Sequence, residues 1–201
     1  KEWIYTFFFN VMTKISSDFL VEFFSPFKAI INSDIKLMNY ILSCVILCST
    51  MDPVEYDVNA EYIVTEFNAV FRHFSSNVAV QSNTNFHKLI EAIFSIIDCL
   101  KCWMQRIMNS SFKTKKPVSN GNILALRRME EIFFAKIDKF AAANCALILK
   151  RYSTALLFLE SSCPPAGTNN DFIASQYPNL KVIYSNLGGK SNLKELVKHY
   201  H

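Results

Sequence analysis

The chain has 201 residues, 51% of them hydrophobic, with 21 Lys and Arg against 17 Asp and Glu for a formal charge of +4. Only 4 Gly and 6 Pro accompany 18 Phe, too few turn-formers for the many short strands of a sandwich or barrel. The mild charge does not mark a nucleic-acid binder, which concentrates Lys and Arg on one face, and a chain of this size buries roughly 70% of its unfolded surface.

In chain order, helices are expected over Trp3–Phe24, Asp34–Ser49 and Asp57–Phe74. Breaks fall at Ser25-Pro26, at Asp52-Pro53 and along the polar run Ser75 to Asn85. The clearest helix is Phe86–Ile107, where Phe86, Leu89, Ile90, Ile93, Phe94, Ile97, Leu100, Met104 and Ile107 form one apolar stripe. Asn83 or Asn85 is its expected N-cap. Ser110 to Asn122 is polar and basic with Pro117 and Gly121, and reads as an exposed, mobile linker. Trypsin is expected to cut first at its Lys113, Lys115 and Lys116.

Helices resume at Ile123–Ala135, Asp138–Leu149 and Arg151–Ser162. A loop, Cys163-Pro164-Pro165-Ala166-Gly167, follows them. The last two helices are expected over Phe172–Leu187 and from Asn192 onward, separated by Gly188-Gly189, with Asn192 and Glu195 forming a capping box. The chain opens directly on the aromatic run Trp3 to Phe9 and ends at His201 inside an amphipathic helix, so an internal fragment is expected. Tyr40 to Met51 is too short an apolar run for the ~20 residues that span a bilayer. The N-terminus has neither a basic leader nor a small-residue cleavage site.

Phe140 to Glu160 is the most informative stretch. It reads as two short helices meeting at a tight turn, with Ala142, Ala143 and Ala146 on the first and Ala155 on the second. Small side chains there let the backbones approach, and Tyr152, Leu156 and Leu159 fill the groove. Tyr-x-x-Ala-x-x-x-Leu after such a turn resembles the helix pair of tetratricopeptide-like repeats. One pair cannot bury its apolar face alone, so the expected fold is an all-α solenoid of antiparallel helix pairs (HEAT/TPR-like repeats). Phe94, Ile97, Leu100, Ala146, Ala155 and Leu159 are its expected core.

Little in the sequence points to chemistry of its own. Cys99-x-x-Cys102 has metal-like spacing, but a structural zinc site needs four ligands and no second pair follows. The six cysteines (Cys44, Cys48, Cys99, Cys102, Cys145, Cys163) mostly occupy apolar helical positions, as reduced, buried thiols do. His73, His87, His199 and His201 are scattered, and no phosphate-cradling loop or nucleophile motif occurs. Arg106, Lys113, Lys115, Lys116, Arg127 and Arg128 make the one basic concentration, read as a solvated loop with helix-end charges. Asn109-Ser110-Ser111 matches a glycosylation acceptor, and Ser175-Gln176 a dipeptide favoured by damage kinases. No catalytic, cofactor-binding or metal-binding residue is therefore assigned.

Two segments together resemble the checkpoint kinases of ATR type, within the phosphatidylinositol-3-kinase-related class. His87–Met108, with Phe94, Ser95, Asp98, Leu100 and Trp103, is similar to the helix preceding their FAT domain. Ala143–Ser161, with Tyr152, Ala155, Phe158 and Glu160, is similar to the opening of that domain, and Asn179–Gly189 to its next helix. Gly188-Gly189-Lys190 departs from the acidic-Pro-Asp turn usual in the family. The resemblance implies HEAT-like repeats over 1–110, a linker over 111–122, and the start of a FAT domain over 123–201. It further implies a non-catalytic scaffold segment of a nuclear serine/threonine kinase in replication-stress and DNA-damage signalling. The ATP and Mg²⁺ of the parent would bind elsewhere, with none in this fragment. Implied partners are the rest of the parent chain, proteins of a checkpoint complex and, in the parent, a second copy, with no direct nucleic-acid site and no membrane. The alternative is an independent helical-repeat adaptor that binds peptides or proteins.

Overall fold

A computed structural model describes residues 2–30, 35–50, 56–114, 120–162 and 169–188. All regular structure in them is helical: α1 Glu2–Met12, α2 Asp18–Phe24, α3 Phe27–Ile30, α4 Ile35–Thr50, α5 Tyr56–Ser76, α6 Val78–Gln81, α7 Thr84–Thr114, α8 Asn120–Arg128, a π-helical segment Met129–Phe134, α9 Lys139–Ile148, α10 Tyr152–Ser161 and α11 Asn169–Asn186. No strand occurs among the described residues, as the scarcity of turn-formers requires. The chain forms two compact units, Lys1–Ala69 with Thr84–Ile137 and Val70–Asn83 with Asp138–His201. Each unit is discontinuous in sequence, whereas the sequence reading expects a linear division at 111–122.

Unit one is built from aromatic and β-branched stripes. On α1, Ile4, Phe7, Phe8 and Val11 recur at helical spacing and are buried. Phe7 meets Phe67 of α5 at 5.6 Å between centroids, and Phe67 meets Phe133 edge-on at 6.2 Å. Such offset and edge contacts between rings add to what burial alone supplies. The stripe of α7 packs against α4, with Ile90, Ile93, Phe94, Ile97 and Leu100 buried.

The elements differ from the expected ones at informative places. The expected helix Trp3–Phe24 is two helices. Thr13 closes α1 by donating its Oγ1–H to Asn10 O at 2.8 Å, and Ser17 starts α2 afresh by accepting from the Leu20 N–H at 3.5 Å. Side chains of Ser and Thr compete with the helical ladder in this way. The polar run Ser75 to Asn85 contains the short helix α6, capped by Asn77, which accepts from the Ala79 N–H at 3.1 Å. α7 starts at Thr84, directly after Asn83, so Asn85 lies inside the helix.

The linker expected at Ser110 to Asn122 is helical at both ends. α7 runs on to Thr114 and α8 begins at Asn120, so only 115–119 of that stretch lie outside the described residues. Polar residues do not by themselves end a helix, and the first strong breaker in the sequence, Pro117, comes later. The helix expected at Ile123–Ala135 changes to π-winding over its last turns, with Met129 and Phe133 buried. Pro178 sits within α11, where it removes one ladder hydrogen bond. The expected loop at Cys163 to Gly167 and the helix from Asn192 lie outside the described residues.

Among the buried polar residues Ser43, Ser49, Thr50 and Asn59, the last joins separate elements. Asn59, at the start of α5, is 1% exposed. Its Nδ2 donates to Lys14 O at 3.0 Å and to Ser49 O at 3.3 Å, tying the turn after α1 to the end of α4. Its Oδ1 is buried without a hydrogen-bond partner. Removing the amide strands two carbonyls, so Asn59→Ala is expected to destabilise the chain by about 1–3 kcal/mol. Thermal unfolding is the check, at about 2–4 °C per kcal/mol for a chain of this size. A midpoint unchanged within error would show that the bridge contributes nothing.

Candidate functional site

The stretch singled out by the sequence folds as an antiparallel pair in unit two, α9 against α10. Asp138 is the N-cap of α9. Its Oδ1 accepts from the Ala141 N–H at 3.0 Å, and its Oδ2 takes the Arg72 Nε–H at 2.7 Å. Burial alone would raise the Asp138 pKa, but the Ala141 amide and the Arg72 guanidinium outweigh it and hold the carboxyl below its ordinary value. The stabilisation from this group is present above the ordinary carboxylate pKa and is lost as pH falls through the lowered folded value. At the other end, Lys139 Nζ donates to Ser161 O at 2.7 Å and so satisfies a C-terminal carbonyl of α10.

The turn between the helices has a defined geometry. Arg151 N–H donates to Ala146 O at 2.8 Å and Lys150 N–H to Leu147 O at 2.9 Å. This is the Schellman pattern, and it places Lys150 at φ 59° in the left-handed region where glycine is the usual occupant. The crossing is as small as expected: Ala142, Ala143, Ala146 and Ala155 are buried, and so are Leu159 and Phe158. Tyr152 and Leu156 are half-buried, so Phe158 takes the interior place that the sequence reading gave to Leu156. All six residues of the expected core are buried.

The described thiols range from buried to exposed, so the expected packing role fits Cys145 and not Cys102. Cys145 is fully buried and donates its S–H to Phe71 O at 3.2 Å. Burial, with the Asp138 charge adding to it, pushes its pKa up to about 12. Cys44, Cys48 and Cys99 are half-buried and Cys102 is exposed. Burial raises Cys44 and Cys48, helped by Cys99 at the first and by Cys44 at the second. The neighbour of Cys99 is thus a thiol of α4. Among the described residues no three His, Cys, Asp or Glu side chains converge into a metal site. Cys163, His199, His201, Lys115 and Lys116 lie outside those residues.

Only part of the basic concentration falls on described side chains. Arg106 is exposed, and Arg127 lies 3.9 Å from Glu131 one turn on. Ser175 is exposed and accepts from Gln176 Nε2 at 3.4 Å. Asn109 is exposed within α7. Among the described residues no helix is long and apolar enough to cross a membrane. The sequence reading missed the Asp138–Arg72 clamp and the Asn59 bridge. Asn59 did carry a signal, since it stands one turn before Ile63 on the apolar stripe of α5.

A family model for the M-HEAT region of the serine/threonine-protein kinase ATR matches residues 1–201. That span includes 123–201, given above to a FAT domain. No curated protein and no solved structure matches the chain significantly.

Three outcomes follow from this geometry. Lys150→Gly is expected to stabilise by about 0.5–1 kcal/mol, read as a higher urea midpoint, because glycine relieves the left-handed strain at more than its cost in unfolded-state entropy. A lower midpoint would mean that the Lys150 side chain contributes more than its backbone costs. Ala155→Leu is expected to destabilise by about 1–3 kcal/mol, since the crossing has no room for further methylenes; an unchanged melt would deny the crossing. Iodoacetamide is expected to label Cys102 first and Cys145 last in the native chain, as read by peptide mapping. Because Cys145 moves from 9.0 to about 12 on folding, stability falls as pH rises through that window. Equal labelling of Cys145 and Cys102 would contradict the buried placement.

Proposed function

Because this chain belongs to the family of the M-HEAT region of the serine/threonine-protein kinase ATR, we propose that it is a non-catalytic scaffold segment of an ATR-like kinase, supporting a kinase domain elsewhere in the parent chain. The observation that carries the reading is the match along all of residues 1–201. The interior supports it, since its buried groups are spent on helix packing: Ala142, Ala143, Ala146 and Ala155 at a crossing, Asn59 on two carbonyls and Cys145 on a third. We read the whole chain, 123–201 included, as HEAT-type helical repeats, with the FAT-like similarity reflecting shared helix-pair packing.

In this reading the parent acts in the nucleus, in DNA-damage and replication-stress checkpoint signalling. The segment's partners are the neighbouring parts of the parent and proteins of a checkpoint complex, with a second copy in a dimeric parent. Close-packed helix pairs transmit displacement instead of absorbing it, so motion induced by a partner passes through the segment toward the kinase domain. ATP and Mg²⁺ serve the parent. The described residues do not fit either, because no acidic ligand cluster forms and the sequence has no phosphate-cradling loop.

Calorimetric titration of the 201-residue chain with ATP and Mg²⁺ is expected to give no binding heat. Saturable binding would overturn the non-catalytic reading.

A further inference from the structure

α4 and α7 pack together in unit one, and each carries two free cysteines. On α4 these are Cys44 and Cys48, one turn apart and both half-buried. On α7 they are the half-buried Cys99 and the exposed Cys102. Helical periodicity sets Tyr40, Cys44 and Cys48 on one line of α4, and Ser95 and Cys99 on one line of α7. Tyr40, Ser95 and Cys99, with Asn39, border a single recess of about 270 Å³, so the two lines face each other across the seam between the helices. One turn on from Tyr40, Cys44 comes beside Cys99. Burial raises the Cys44 pKa, and the adjacent Cys99 adds to the rise. Among the described residues no three metal-ligating side chains converge, so the arrangement is a thiol pair and not a metal centre.

We infer that Cys44 and Cys99 form a peroxide-sensitive pair that closes into a disulfide and clamps α4 to α7. The reach is right. Packed helix axes lie about 8–10 Å apart and each Cα stands about 2.3 Å off its axis, so facing residues attain the roughly 4.4–6.8 Å between Cα atoms that a disulfide needs. Cys99 borders the recess and Cys44 does not, so a hydroperoxide meets Cys99 first. The Cys99 thiolate attacks the O–O bond. An S–O bond forms, the O–O bond breaks, and the departing hydroxide takes up a proton as water. The Cys44 sulfur, giving up its proton, then attacks the Cys99 sulfenic acid; the S–S bond forms and the S–O bond breaks, releasing a second water. Two thiols are thus oxidised by two electrons while one hydroperoxide is reduced to two waters. Cys102 is turned to solvent and Cys48 stands a turn farther from the recess, so neither competes. The inference does not depend on the kinase reading.

The test treats the native 201-residue chain with hydrogen peroxide, alkylates the remaining thiols and maps tryptic peptides. Trypsin separates the three places: Cys44 falls in 37–72, Cys99 in 89–101 and Cys102 in 102–106. The expected product is 37–72 joined to 89–101, two hydrogens lighter than their sum, in a chain that stays monomeric on a non-reducing gel. Cys44→Ser and Cys99→Ser should each abolish the joined peptide, and Cys48→Ser should leave it. The oxidised chain should show a higher urea midpoint, restored to the starting value by dithiothreitol. A bond through Cys48 or Cys102, a bond between two chains, or Cys99 recovered only as sulfinic or sulfonic acid would overturn the pairing. The joined peptide without a rise in the urea midpoint would overturn the clamp.

Discussion

Two backbone carbonyls, the part-buried one of Lys14 and the buried one of Ser49, take their donor from the side-chain amide of Asn59. Helix ends that run into the core leave carbonyls with no partner in their own helix, and each such group costs free energy until it is bonded. Meeting that requirement with one residue at the start of α5 fixes where this long helix lies against α1 and α4. The rest of unit one follows. With α5 held there, Phe67 reaches both Phe7 and Phe133, Glu61 lies 3.3 Å from Lys136 Nζ, and Asn68 Nδ2 donates to Lys136 O at 3.0 Å. The exposed Glu61–Lys136 pair adds little by itself. It marks the register that the buried amide sets.

Much of this fold is legible in the sequence because helix packing obeys a short-range rule. The α7 stripe follows from the positions of Ile90, Ile93, Phe94, Ile97 and Leu100, and the α9–α10 crossing from alanines placed where two backbones meet. What was not legible depends on partners distant in sequence or on local backbone competition. Asn59 looks like one more polar residue of α5 until Lys14 and Ser49 come to it from 45 and 10 residues away. The break between α1 and α2 rests on which carbonyl Thr13 chooses and on the cap that Ser17 provides. Polarity at Ser110 to Thr114 suggested a loop, yet α7 runs on through it, because polar residues alone do not break a helix. Lys150 in the left-handed region is unreadable from its own identity, since lysine has no preference for that place.

The candidate site shows the same division. Residue types excluded a recognisable catalytic motif, and the chain's family was reached through Tyr152, Ala155, Phe158 and the stretch around Phe94 to Trp103. The electrostatic clamp at Asp138 was half visible as a helix start, while its partner Arg72 comes from 66 residues earlier. Thiols at helical spacing read as packing groups, and the interior places Cys145 as a donor to a carbonyl of α5. Of the buried polar residues, Ser43, Ser49 and Thr50 bond back to carbonyls of their own helix α4, while Asn59 joins α5 to two other elements.

The most direct measurement is the activity of the parent ATR-like kinase carrying Asn59→Ala, assayed on a peptide substrate with and without its activating partner. If the segment acts through packing, partner-stimulated activity falls while the KM for ATP is unchanged. A shift in the ATP KM, or full stimulation by a variant shown to have loosened this segment, would contradict the account.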